Sequence, residues 1–354
     1  MSVFIIAEAG VNHNGDPKIA LQLIDAAAEA GADAVKFQTF KAEELVLPTA
    51  PKANYQNSTV GEMETQFDML KRLELARSTY HDLIDHCAKR GIIFLSTPFD
   101  KSSLSFLVST LKLKILKISS GEITNGPLLL AAGASGCKII LSTGMSNLDE
   151  IREALGVLAF GITAEGTPSL DAFKAAFTAS EGQNALKEKV TLLHCTTEYP
   201  APFKDTNLNA LQTMRDAFGL RIGLSDHTSG IVVPIAATAL GVEVIEKHFT
   251  IANNLPGPDH KASLEPDELK AMIIGIRNIE KALGDGKKCM RPSEQGNRNV
   301  IRKSLTMLKP VKAGEKFTQE NLGAKRPGNG DSPMNYWTWL DQRAISDFDE
   351  GDQF

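Results

Sequence analysis

The chain predicts a (β/α)8 barrel followed by a small C-terminal β module, and three observations carry that prediction. Short apolar runs rich in β-branched residues recur eight times across roughly the first 280 residues, close to the ~250 residues usual for such a barrel. The runs are apolar on both faces, which marks strands covered on both sides and hence a parallel sheet. Amphipathic stretches at helical spacing lie between them. The competing doubly wound open sheet would show a glycine-rich nucleotide fingerprint after its first strand, and GVNHNGD does not match that pattern.

In order, the predicted strands are VFIIAEAG (3–10), AVKFQT (34–39), IIFLSTP (92–98), ILKISSG (115–121), KIILSTG (138–144), VTLLHCT (190–196), RIGLSDH (221–227) and VEVIEKHF (242–249). PKIALQLIDAAAEAG reads as a helix with Pro17 at its start and Gly31 just past its end. NLDEIREALGVLAFG and SGIVVPIAATALG read likewise, with an irregular first turn at Pro234. Two excursions break the rhythm. Residues 41–62 leave from the C-terminal rim, where long loops carry substrate contacts, and 161–187 leave from the opposite end. The barrel is expected to span 1–284, a polar linker 285–298 and a compact β module 299–354. A module that small buries little core alone.

Composition narrows the partners. A net charge of −5 without acidic or basic blocks argues against nucleic acid and membrane surfaces, so anionic substrates would need a local cluster of Lys and Arg. MSVFIIAEAG has no basic n-region and reads as a strand rather than a signal peptide. No stretch approaches the ~20 apolar residues of a membrane span. Cys87, Cys137, Cys195 and Cys289 form no CxxC pair, which fits a reduced, cytoplasmic setting.

Barrels of this type place chemistry at the C-terminal ends of the strands. Those ends carry Glu8, Lys36 and Gln38, Ser96 and Thr97, Lys117 with Ser119, Ser120 and Glu122, Ser142 and Thr143, His194 with Thr196, Thr197 and Tyr199, Ser225 with Asp226 and His227, and His248. Polar side chains at every strand end argue for a functional mouth. Two lysines with several hydroxyls suit a phosphate and a second acidic group. His227 and His248 close consecutive strands and would emerge side by side, the arrangement of a two-histidine metal site. A bound metal would polarise a carbonyl or orient a water. Glu8 and Glu122 are candidates for proton transfer. Each has a plainer alternative. Strand-end histidines often serve only as hydrogen-bonded structure, either lysine can cap a helix or form a Schiff base, and Asp226 can simply orient a neighbouring imidazole. His13 and His260 fall in loops, and His81 and His86 on a solvated helix face.

At these residues the chain resembles the phosphoenolpyruvate-dependent nonulosonic (sialic) acid synthases. The resemblance rests on AEAGVNHNG, VKFQTFKA, FLSTPFD, KISSGE, ILSTGM, LLHCTTEYPAPF, GLSDHTSG, IEKHFT and GPDHKAS. It continues through KRPGNGDSPM, similar to the antifreeze-like (SAF) domain of those enzymes. It implies a TIM barrel joined to a SAF β-clip in a domain-swapped homodimer. The implied reaction condenses phosphoenolpyruvate with the aldehyde of an N-acetylated hexosamine and releases phosphate, aided by Mn²⁺ or, in its place, Mg²⁺ or Co²⁺. It implies that His227 and His248 hold the metal, that Lys36, Thr97, Lys117, Ser120, Ser142, Thr197 and Ser225 bind phosphoenolpyruvate, and that Glu8, Glu122, Gln38, Tyr199, Asp259 and Arg326 surround the sugar. Thr197 stands where some members have asparagine. The first expectation for the acceptor is N-acetylmannosamine, giving N-acetylneuraminate. The second is 2,4-diacetamido-2,4,6-trideoxymannose, giving N,N'-diacetyllegionaminate.

Overall fold

The computed structural model describes residues 2–53, 64–163 and 166–354. Residues 54–62 of the first excursion therefore lie outside the described residues. The chain divides into two compact units, 1–284 and 285–354.

The first unit is a (β/α)8 barrel. Its strands are β1 (Phe4–Gly10), β2 (Ala34–Thr39), β3 (Ile93–Pro98), β4 (Ile115–Ile118), β5 (Lys138–Ser142), β6 (Val190–Cys195), β7 (Arg221–Asp226) and β8 (Val244–His248). Parallel ladders run in the order β3-β2-β1-β8-β7-β6-β5-β4, and β3 packs beside β4 to complete the ring. All eight predicted strands are present, with ends trimmed by a residue or more where the apolar run outlasts the ladder.

Helices cover the outside for local reasons. Asp16 caps the helix Pro17–Ala30 by accepting from the Lys18 amide, and Gly31 ends it at φ 89°, a left-handed turn that glycine adopts freely. Leu23, Ile24 and Ala27 of that helix join the main core between sheet and helices. Residues 161–187 are largely helical, as Leu170–Thr178 and Ser180–Lys189 before β6, at the barrel end opposite the strand C-termini.

A second, smaller apolar layer lies inside the barrel. Ile6, Ala34, Leu95, Ile140, Leu193 and Val244 form one buried cluster, with Ile115 packed against it. At the same level β7 carries Gly223, where a Cβ would sit 2.5 Å from both Leu193 Cδ2 and the Val244 carbonyl oxygen. This layer is the floor on which the next inward-pointing residues stand.

The second unit has its own core of Leu305, Met307, Val311, Phe317, Leu322 and Ala344. Strands β9 (Ser304–Met307) and β10 (Leu322–Lys325) pair antiparallel, and Trp339 stacks on Phe354 at 4.3 Å. This small antiparallel unit fits a SAF-like domain. The segment expected as linker carries a 3-10 turn at Pro292–Glu294 and leads into the exposed helix Gln295–Ile301.

Candidate active site at the barrel mouth

Strand alternation builds the site. Two residues beyond each floor position the side chain again points inward: Glu8, Lys36, Thr97, Lys117, Ser142, Cys195, Ser225 and Glu246. Two further on come Gln38, Phe99, Ser119, Thr197, His227 and His248. All of these, with Ser120 and Tyr199, line one cavity. Of the residues assigned to metal, phosphoenolpyruvate or sugar it gathers all but Glu122, Asp259 and Arg326, and of the other strand-end residues Ser96, Thr143, His194, Thr196 and Asp226 also lie outside its lining. Gly144 keeps the wall thin, since a Cβ there would lie 2.2 Å from Thr197 Oγ1. Its amide donates to Ser120 Oγ at 2.9 Å.

The cavity floor is a buried charge cluster. Lys36 Nζ lies 2.6 Å from Glu8 Oε2 and 3.6 Å from Glu246 Oε2, and donates to Thr97 Oγ1 at 2.9 Å. Lys117 Nζ lies 3.1 Å from Glu246 Oε1, which also accepts from Ser225 Oγ at 2.8 Å. Burial opposes ionisation of Glu246, but Lys117 and Lys36 outweigh it and hold its pKa well below the carboxylate range. Burial dominates at Glu8, against the pull of Lys36, and raises its pKa to about 7. For Lys36, Glu246 and Glu8 outweigh the burial penalty and raise the pKa. Glu246 escaped the sequence reading because it lies inside the apolar run VEVIEKHF. Its spacing of two from His248, which puts both on one face, was the signal that could have found it.

Above the floor the imidazoles of His227 and His248 face each other, ring centroids 5.4 Å apart, with the Tyr199 ring 4.1 Å from the first. His227 Nδ1 lies 2.7 Å from the Thr196 carbonyl, so it must be the donor, which leaves Nε2 as the nitrogen open to a ligand. Burial lowers the His227 pKa, but Cys195 and the Thr196 carbonyl outweigh it and raise it. Burial, reinforced by His227 and Lys36, pushes the His248 pKa well below its ordinary value and keeps the ring neutral. Its buried Nδ1 has no hydrogen-bond partner, and neither do the hydroxyls of Ser142 and Thr197. Two imidazoles, one neutral with an orphaned ring nitrogen, fit a divalent metal held by the pair plus substrate or water oxygens. No cluster of three or more His, Cys, Asp or Glu suited to a metal occurs among the described residues.

The other candidates sit apart. Glu122 lies in the turn Ser120–Glu122, where burial raises its pKa and Asn125 Nδ2 donates to it at 2.7 Å. Asp259 is buried in the loop after β8, its pKa raised to about 6 by burial against the opposing pull of His227. Arg326 is exposed in the second unit. Asp226 corrects the sequence reading: it holds no imidazole, because alternation turns it outward from His227. It pairs with Lys247 at 2.6 Å and accepts from Thr228 Oγ1 at 2.9 Å. His86 is half-buried on its helix face and lies 2.8 Å from Asp25 Oδ1.

An eight-stranded barrel with cationic and imidazole groups converging at its strand C-termini has the layout of a barrel enzyme. The NeuB family model matches residues 23–288, and the chain belongs to that family. It is 51% identical over 346 residues to the N,N'-diacetyllegionaminic acid synthase of Campylobacter jejuni, covering 98% of this chain and 97% of that one. It is 45% identical over 333 residues to the protein of the same name from Legionella pneumophila, covering 94% and 88%. Among solved structures, the N-acetylneuraminic acid (sialic acid) synthetase of Leptospira borgpetersenii superposes with a TM-score of 0.67 at 36% identity, covering 84% of this chain and 90% of that one.

Proposed function

We propose that this chain condenses phosphoenolpyruvate with 2,4-diacetamido-2,4,6-trideoxymannose, yielding N,N'-diacetyllegionaminate and inorganic phosphate. The observation that carries the reaction type is the cavity itself: two buried lysines and unpartnered hydroxyls below a pair of imidazoles. The names of the two relatives in the preceding paragraph support this acceptor over N-acetylmannosamine.

In this reading Lys36 and Lys117 hold the anionic groups of phosphoenolpyruvate. The hydroxyls of Thr97, Ser120, Ser142, Thr197 and Ser225 supply directional donors. His227 and His248 would hold the divalent metal, Mn²⁺ on this reading, which when bound supplies Lewis acidity toward the sugar aldehyde. C3 of phosphoenolpyruvate forms a bond to the aldehyde carbon, whose oxygen takes up a proton. The bond is made with the C2–C3 π pair, which leaves C2 cationic. Water adds there and gives up a proton. The C2–O bond to phosphate then breaks with its electrons leaving on phosphate, as the new C2 hydroxyl loses its proton and becomes the keto group. Glu8, ionising near neutrality, is placed to hold the attacking water or move a proton. Gln38, Tyr199, Glu122 and Asp259 orient the sugar. Arg326 does so from a partner chain in the swapped homodimer this reading includes.

Phosphate release measured with the two acceptors side by side tests the proposal. Faster turnover with the diacetamido sugar is expected. Preference for N-acetylmannosamine would overturn the acceptor, and no release with either would overturn the reaction.

A further inference from the structure

Building on the proposed phosphoenolpyruvate site, we infer that Glu246 is a resident counter-anion: it positions Lys36, Lys117 and Ser225 and competes with the anionic substrate for them. Its two oxygens are divided among these partners, Oε1 taking Ser225 Oγ at 2.8 Å and Lys117 Nζ at 3.1 Å, Oε2 facing Lys36 Nζ at 3.6 Å. The carboxylate is 3% exposed and sits one level above the apolar floor. Solvent therefore screens it little.

The cavity donors fall into two groups. Lys36, Lys117 and Ser225 already face a carboxylate, whereas the hydroxyls of Ser142 and Thr197 have no partner. The unpartnered hydroxyls are free to serve an incoming anion, and the lysines must share themselves between that anion and Glu246. Two ammonium groups buried on an apolar floor without a counter-charge would be costly, so Glu246 makes the empty site stable. The same charge repels the arriving phosphate or carboxylate and weakens its hold. Weak retention favours departure of the released phosphate, so Glu246 sets the balance between capture and release.

A purely structural role and the counter-anion role predict opposite signs. If Glu246 only scaffolds the lysines, removing its charge loosens them and anions bind less well. If it competes, removing the charge makes anions bind better. The full-length chain is titrated calorimetrically with phosphoenolpyruvate and, separately, with inorganic phosphate, with MgCl2 present throughout. Glu246→Gln keeps the shape and an acceptor for Ser225. It should tighten both anions roughly 100- to 1,000-fold, the scale of one unit charge removed about 4–6 Å from a ligand charge at an effective dielectric near 20. The KM for phosphoenolpyruvate and the inhibition constant of phosphate should fall together, with a lower kcat as release slows. Glu246→Asp keeps the charge but draws it back by one methylene, so it should tighten binding only a few-fold. That variant carries the test if the glutamine form fails to fold. Unchanged or weaker binding in a folded variant overturns the inference while leaving the proposed reaction standing. A native chain that binds neither anion overturns both.

Discussion

The pair Asp226–Lys247 lies one residue before each of the two site histidines, on the opposite face of β7 and β8. Both side chains are 1% exposed and Lys247 Nζ lies 2.6 Å from Asp226 Oδ2. The ammonium also donates to the Thr228 carbonyl. Lys247→Met keeps the volume and removes the charge, leaving a buried carboxylate without its counter-ion. Breaking a buried pair in this way costs about 3–5 kcal/mol. Asp226 still accepts from Thr228 N at 3.1 Å and from its hydroxyl at 2.9 Å, so the low end, about 3 kcal/mol, is expected. In a unit of 284 residues that corresponds to a melting temperature roughly 5 °C lower. The double variant Asp226→Asn, Lys247→Met removes both charges and should recover at least half of the loss, because replacing a whole buried pair is far cheaper than orphaning one member. Urea unfolding of the full chain followed by circular dichroism measures all three. A loss below about 1 kcal/mol for Lys247→Met, or strictly additive effects, would refute the view that this pair clamps β7 to β8 behind the imidazoles.

Other expectations follow from the site. His248→Ala should lower turnover by at least ~10²–10³, the usual cost of losing one oriented electrostatic group, with an unchanged circular dichroism spectrum. Near-normal phosphate release by that variant, or by native enzyme stripped with a chelator, would remove the metal from the mechanism. Arg326→Ala should raise the KM for the acceptor sugar far more than that for phosphoenolpyruvate, and equal losses would count against its assignment to the sugar. His13 is fully buried, and burial lowers its pKa from 6.5 to about 4. Between those values the unfolded chain binds a proton that the native chain refuses, so its contribution is complete above pH 6.5 and is lost as pH falls toward 4. Relative to His13→Gln, the native chain should lose up to about 3 kcal/mol between pH 7 and pH 4 in urea titrations, and a pH-independent difference would show that His13 titrates normally.

The barrel was legible because its strands are the apolar runs themselves, and burial on both faces leaves a parallel sheet little alternative. The mouth was legible because polar residues end those runs, where the inward face clears the apolar floor. What escaped follows from the same alternation. Glu246 reads as an interruption of a strand until it is counted two back from His248, which puts it on the inner face directly between Lys36 and Lys117. Asp226 reads as a partner for His227 because they are neighbours in sequence, yet neighbours in a strand point to opposite faces. Its true partner is Lys247, which stands beside it in register on β8. Glu122 and Asp259 fall after their strands have turned, so strand parity no longer says where they point, and neither lines the cavity. The acceptor sugar was not legible for a related reason. On the proposed reading, the strand layers that alternation dictates form the charged floor that meets phosphoenolpyruvate, and discrimination between an acetamido and a hydroxyl group would fall to loop residues with no periodicity to place them. A search for the residue that selects the acceptor should therefore begin in the loops after β6 and β8, around Tyr199 and Asp259, and not among the residues of the floor.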